Sequence, residues 1–191
     1  MVIIVATAGA ANANSYETYA EASAYFDERL PLDPPWLASG QEAVIIMACR
    51  ALNTNFQPSK RYVPGEGNNL PHYIQRRTWT GLPATTTQVL PWPRKNMYDW
   101  NGNLIPSDVI PQALKDAQSE MAGQLLAGDR TLDNDVIVQG LTSVRAGSVS
   151  LGFKQTIVPQ VIPDAVLNLI PPSWLTDEII TSVYPAIFEV I

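Results

Sequence analysis

Hydrophobic positions recur at helical spacing in three stretches of this 191-residue chain. In the first, Ala22, Tyr25, Phe26 and Leu30 sit at i, i+3, i+4 and i+8, one apolar face of a helix. Thr18-Tyr-Ala-Glu21 opens it as a capping box, the hydroxyl serving an orphan N–H while the carboxylate reaches back. The pattern predicts a helix over about 18–30, stopped by Pro31. A second box, Ser39-Gly-Gln-Glu42, predicts a helix over about 39–53. This one is apolar on nearly all sides (Val44, Ile45, Ile46, Met47, Ala48, Leu52), so it reads as buried and central. The third stripe is Ile110, Ala113, Leu114, Ala117, Met121, Leu125 and Leu126. It predicts a helix over about 108–127, with Ser107 or Asp108 as cap, Pro111 in the first turn and Gly128 as the stop. Ala113, Ala117 and Gly123 imply a close neighbour.

Elsewhere the helical period is lost. Val2–Thr7 is a β-branched stretch, a strand or extended arm, and Ala8–Ser15 is a loop. Residues 56–106 are broken by Pro and Gly at nine places and have no clean period. That is too long for an ordinary loop, and its Trp and Tyr residues argue against disorder. It reads as irregular, extended structure with interface character. From Thr142 to Phe153 the period is two with a break at Gly147, which predicts a β element over 142–154. A short helix is expected over 163–170, ended by Pro171-Pro172. The expected fold is therefore mainly α: a small helical bundle with a short β-hairpin, an extended loop region and a C-terminal arm. Residues 1–173 would form the body and residues 174–191 an apolar docking arm.

Charge sharpens this picture. Only 16% of the chain is charged, against about 25% in a typical soluble domain. Such a surface suits a subunit covered by other protein. The net charge of −6 is uneven. Arg50, Lys60, Arg61, Arg76, Arg77, Arg94 and Lys95 face a single acid, Glu66, across residues 50–95, a local net of +6. The remainder carries −12. A basic segment of this kind can meet an acidic partner or nucleic acid. No Lys or Arg precedes the short apolar start, so no secretory signal is expected. No apolar run reaches a membrane span, and no membrane partner is expected.

The chemistry of catalysis is sparse. One Cys (Cys49, expected as a buried reduced thiol) and one His (His72, in the loop region) leave no zinc set of the usual kind. No nucleophile elbow accompanies His72. Gly65-Glu66-Gly67 lacks the G-K-[ST] of a phosphate loop, and Asp129, Asp133 and Asp135 lack the Gly and distal Glu of a calcium loop. Neither an enzyme nor a cofactor is expected.

Two positive features remain. Cations interleave with aromatics at Arg61-Tyr62, Arg76-Arg77-Thr78-Trp79 and Trp92-Pro93-Arg94-Lys95. Cation plus stacking platform is what single-stranded nucleic acid binding uses, here with Arg61, Arg76, Arg77, Trp79 and Trp92. The same residue types dominate protein interfaces. The apolar tail, with Tyr184, Ile187 and Phe188, is the second feature: it packs on its own domain or inserts into a neighbour.

Four motifs in order resemble a family of tailed-phage virion proteins. They are Asn14-Ser-Tyr-Glu-Thr-Tyr-Ala-Glu-Ala-Ser-Ala-Tyr-Phe26, Trp92-Pro-Arg94 with Tyr98-Asp99 and Gly102, Ile110-Pro-Gln-Ala-Leu-Lys115 with Ala117, Glu120 and Ala122, and Val144-Arg-Ala-Gly-Ser-Val149. Members are often labelled DnaT-like single-stranded DNA-binding proteins, and they are similar to head–tail connectors. The likeness covers most of residues 10–170. The Pro58–Thr87 region is longer than typical, and the chain after Trp174 departs from the pattern. The resemblance implies a structural adaptor, made in the host cytoplasm and placed at the head–tail junction of the virion. It would assemble as a homo-oligomeric ring of twelve copies below the portal protein and dock the next tail component. DNA would pass through its channel without sequence-specific binding. The expected interface residues are Arg76, Arg77, Trp79, Trp92, Arg94, Tyr98, Trp174, Tyr184, Ile187 and Phe188. The alternative is a DnaT-like replication accessory protein that binds single-stranded DNA.

Overall fold

The computed structural model describes residues 2–37, 39–58, 60–63, 72–75, 77–129, 143–146, 149–152, 161–177 and 179–182. Thr18 caps the first helix as expected. Its Oγ1 accepts the Glu21 N–H, and its own N–H donates to Glu21 Oε2 at 2.7 Å. Helix α1 (Tyr19–Asp27) ends a turn earlier than the stripe suggested. Leu30 therefore leaves the apolar face and is 82% exposed.

Helix α2 (Glu42–Asn55) starts at Gln41, and the Ser39 capping box does not form. Gly40 turns the chain at a left-handed φ of 92°, and the Gln41 side chain instead accepts the Leu37 N–H. Ile45, Ala48, Cys49, Ala51 and Leu52 are buried, while Met47 reaches the surface. The all-round apolar pattern thus overstated how central this helix is.

Among the described residues, seven short strands, interspersed with the later helices, form small antiparallel sheets. Strands β1 (Lys60–Val63) and β2 (His72–Gln75) pair Tyr62 with Tyr73. Strands β3 (Leu82–Pro83) and β4 (Arg94–Lys95) pair Pro83 with Arg94. Helix α3 (Gln112–Ala127) is the true centre, packing against α1, α2 and a later short helix, α4 (Asp164–Leu167). Every residue from Ala117 to Gly123 is buried. The small-residue reading holds at Gly123: a Cβ there would lie 3.2 Å from Phe26 and 3.3 Å from Leu32.

The period-two stretch forms the expected hairpin, β5 (Ser143–Ala146) against β6 (Val149–Gly152). Helix α4 (Asp164–Leu167) is continued by hydrogen-bonded turns to Ile170. A 3₁₀ turn (Pro172–Trp174) precedes β7 (Ile179–Ser182), which pairs with β2 of the same chain, Ile180 opposite Ile74. The start of the apolar tail therefore joins a sheet within its own chain. The fold is mainly helical with small β elements, and among the described residues no helix is long and apolar enough to cross a membrane.

Candidate functional site

The irregular region is organised around indoles. Trp79 stands edge-on to Phe56 at 4.7 Å and to Trp92 at 5.8 Å, and Trp92 lies 4.7 Å from Trp174. Trp79, Trp92 and Trp174 are all buried in the main core. Backbone pairing closes the cluster: Thr80 donates to the Trp174 carbonyl and Thr176 to the Thr78 carbonyl, each at 2.8 Å. The Trp174 indole N–H donates to the Tyr98 carbonyl at 2.6 Å.

Arg94 completes this unit from inside. It is 8% exposed. Its Nε donates to the Thr80 carbonyl at 2.6 Å, Nη1 to Pro91 at 3.0 Å and Nη2 to Gly81 at 2.9 Å. A segment rich in Pro has few N–H donors for its carbonyls, and the guanidinium fork supplies several at once. Burial pulls the Arg94 pKa below its ordinary value, yet the group stays charged.

These positions correct the expected interface. Trp79, Trp92, Arg94 and Trp174 face the protein's own interior, so they offer no platform to a strand or a partner. The cause is physical: a segment without periodic apolar positions gains a core chiefly through its large aromatic side chains, with Met97 and Ile105 beside them. Arg77 is exposed, and Tyr98 is 51% exposed. Arg61 lies in β1, and His72 in β2 rather than in a loop. Arg76, Tyr184, Ile187, Phe188, the Gly65–Gly67 motif, Asp133 and Asp135 lie outside the described residues.

What remains on the surface is a short hairpin. Tyr98 bridges Leu104, and Ile105 N–H donates to the Met97 carbonyl at 2.8 Å. Asp99 stiffens the turn: Oδ1 accepts from the Asn101 and Asn103 N–H groups at 2.9 and 2.8 Å, and Oδ2 from the Asn103 side chain at 3.0 Å. The Asn103 amide, with these backbone donors, holds the Asp99 carboxyl below its usual range. Gly102 adopts a left-handed φ of 81°. The result presents Trp100 at 60% and Leu104 at 63% exposure on a rigid stub. Lys95, in β4, is exposed in the same region. An exposed aromatic ring in a segment that also carries exposed cations can stack on a base or seat in an apolar partner.

Trp100 is not among the interface residues expected from the sequence, yet it is the most exposed aromatic of this region among the described residues. The signal was present in Asp99-Trp-Asn-Gly102, since a side chain inside a tight turn points outward. Near Arg77, a cleft of about 280 Å³ is lined also by Asp164, Leu167, Asn168, Pro172 and Thr176. That falls just short of the ~300–1,000 Å³ of usual ligand pockets.

A family model described as "Putative DnaT-like ssDNA binding protein" matches residues 71–176, more than half of the chain. The chain belongs to this DnaT-like family. The matched segment of the DnaT-like domain holds the indole cluster, Arg94, the Tyr98–Leu104 hairpin and α3. No curated protein and no solved structure matches the chain.

The motif Asn14-Ser-Tyr-Glu17 lies outside the matched segment and ties the N-terminal segment to the helices. Asn14 closes a loop through Val5 and Ile3. Tyr16 hydroxyl donates to Asn53 on α2, and Gln118 on α3 bonds both the Tyr16 N–H and the Ser15 hydroxyl. Burial pushes the Tyr16 hydroxyl well above its ordinary pKa and the Cys49 thiol up to about 12, so neither ionises near neutrality.

Proposed function

We propose that the protein is a non-enzymatic single-stranded DNA-binding protein whose described contact is the Tyr98–Leu104 hairpin. One observation carries the reading: Trp100 and Tyr98 stand exposed on a rigid turn inside the segment that matches the DnaT-like family. Stacking on an exposed indole contributes about 1–3 kcal/mol per base and is indifferent to sequence. Arg77 and Lys95 add cations from the same segment, within the +6 stretch of the chain. The rest of the chain carries −12, which favours this region for a phosphate backbone. The test is quenching of tryptophan fluorescence by an unstructured oligonucleotide at rising salt. Binding should weaken steeply as salt rises.

A second reading has its own support. Val2, Ile3, Leu30, Leu37, Leu82, Val89 and Leu104 are exposed on a chain that is only 16% charged. Together with the virion-protein motifs, this favours a head–tail adaptor, a twelve-copy ring beneath the portal protein that docks the next tail component. Rings use two different faces of each subunit, and exposed apolar side chains are available to line them. The mass of the purified particle separates the readings. A ring with no oligonucleotide binding supports the adaptor; salt-dependent binding by a smaller species supports the DNA-binding protein.

A further inference from the structure

The N-terminal segment and α3 share a carboxyl that makes no ion pair among the described residues. Glu17 is 1% exposed. Its Oε2 accepts from the Ser119 hydroxyl at 2.8 Å, and its Oε1 has no hydrogen-bond partner among the described residues. The surrounding charges disfavour ionisation. Glu21 on α1 and Asp116 on α3 carry the same sign, and the Lys115 ammonium on α3 is engaged by Glu21. Cys49 on α2 stays a neutral thiol. An ionised carboxylate in such a place costs far more than the neutral acid. Burial first, then the two acidic neighbours, push the Glu17 pKa up to about 8 against the single hydroxyl and the lysine.

The carboxyl sits where the segment is fastened. Ser15, Tyr16 and Glu17 are consecutive and buried, and each is hydrogen-bonded to α2 or α3. Residues before them run through a loop closed on Asn14, and among the described residues one backbone bond, from Val89 to Ala10, ties them to the rest of the fold.

We propose that Glu17 is a protonation latch: its neutral carboxyl lets residues 15–17 lie against α3, and ionisation releases them together with the segment that precedes them. On opening, the carboxyl passes one proton to water and its charge becomes solvated. The buried faces of Gln118 and Ser119 are then uncovered, and the apolar arm that begins with Val2 and Ile3 is freed.

Hydrogen exchange on the full chain tests this across pH 5.5 to 9, corrected for intrinsic exchange. Protection of the Val5, Asn14 and Tyr16 amides should fall by up to about tenfold per pH unit toward pH 8 and then level off. The Leu52 and Phe56 amides at the end of α2 should stay better protected than these at every pH, because they open only with the whole fold. In Glu17→Gln the N-terminal amides should stay protected and flat with pH. An equal fall in Glu17→Gln, or N-terminal amides as well protected as those of α2 at pH 8, overturns the latch. If the variant does not fold, the wild-type profile with α2 as internal reference decides.

Discussion

Gln118 grips the N-terminal segment with both ends of its amide: its Oε1 accepts the Tyr16 N–H at 2.9 Å, across 102 residues of sequence. Its Nε2 donates to the Ser15 hydroxyl at 2.7 Å. Replacing it by Leu keeps the volume and orphans the buried Tyr16 N–H, while the Ser15 hydroxyl keeps its bonds to the Glu17 backbone. Gln118→Leu should lower stability by about 1–3 kcal/mol. A urea midpoint unchanged from wild type would contradict this reading of the Gln118 amide.

Arg94 should behave as a core residue. Arg94→Ala leaves three carbonyls without their donor and should cost at least about 2 kcal/mol. Arg94→Lys keeps the charge but lacks the fork, and should recover only part of the loss. Chemical unfolding reads both. Full stability in Arg94→Ala would return Arg94 to the surface contacts.

Two glycines separate backbone conformation from crowding. Both adopt left-handed φ, 67° at Gly81 and 81° at Gly102. A Cβ at Gly81 would meet the Lys95 carbonyl at 2.5 Å and Met97 Sδ at 2.7 Å, whereas at Gly102 it meets open space. Gly102→Ala should cost about 1 kcal/mol from the backbone alone. Gly81→Ala should cost about 1–3 kcal/mol more, because a neighbour must shift. Equal losses in thermal unfolding would contradict the packing around Gly81.

The sequence is legible where local chemistry dominates. Thr18 and Glu21 form their box because both partners lie within one turn, and the β5–β6 hairpin follows from strict alternation. Reading failed where distant residues decide. Gln41 rather than Ser39 opens α2, since Gly40 turns the chain away. Trp79, Trp92 and Arg94 have the composition of a contact surface, yet partners from residues 56, 80, 91 and 174 bury them. Cation–aromatic interleaving cannot tell a core from an interface, because the same side chains serve both. The Glu17–Ser119 contact has no local signature at all.

Stability should depend on pH with opposite signs at the two ends. Glu17 is neutral in the folded protein up to about pH 8 but ionises near 4.5 when unfolded. Its contribution is fully present below about 4.5 and is lost as pH rises toward 8, by up to about 1.4 kcal/mol per unit. Glu120 and Glu21 run the other way. Burial opposes their ionisation, but Arg29 at 2.7 Å and Lys115 outweigh it and hold both carboxyls low. Their stabilisation is present above about 4.5 and is lost in acid. Melting temperature should therefore peak in mildly acid solution, and Glu17→Gln should remove the fall on the alkaline side. A wild-type profile flat from pH 5 to 8 would contradict the Glu17 assignment.

The most direct measurement is oligonucleotide titration of wild type beside Trp100→Ala. Trp100 is mostly exposed, so its loss should leave unfolding unchanged within about 0.5 kcal/mol. The account predicts salt-sensitive binding by wild type and affinity about 5- to 150-fold weaker in the variant, the loss of one stacked base. No binding by the wild type at low salt, or equal binding by both proteins, would contradict it.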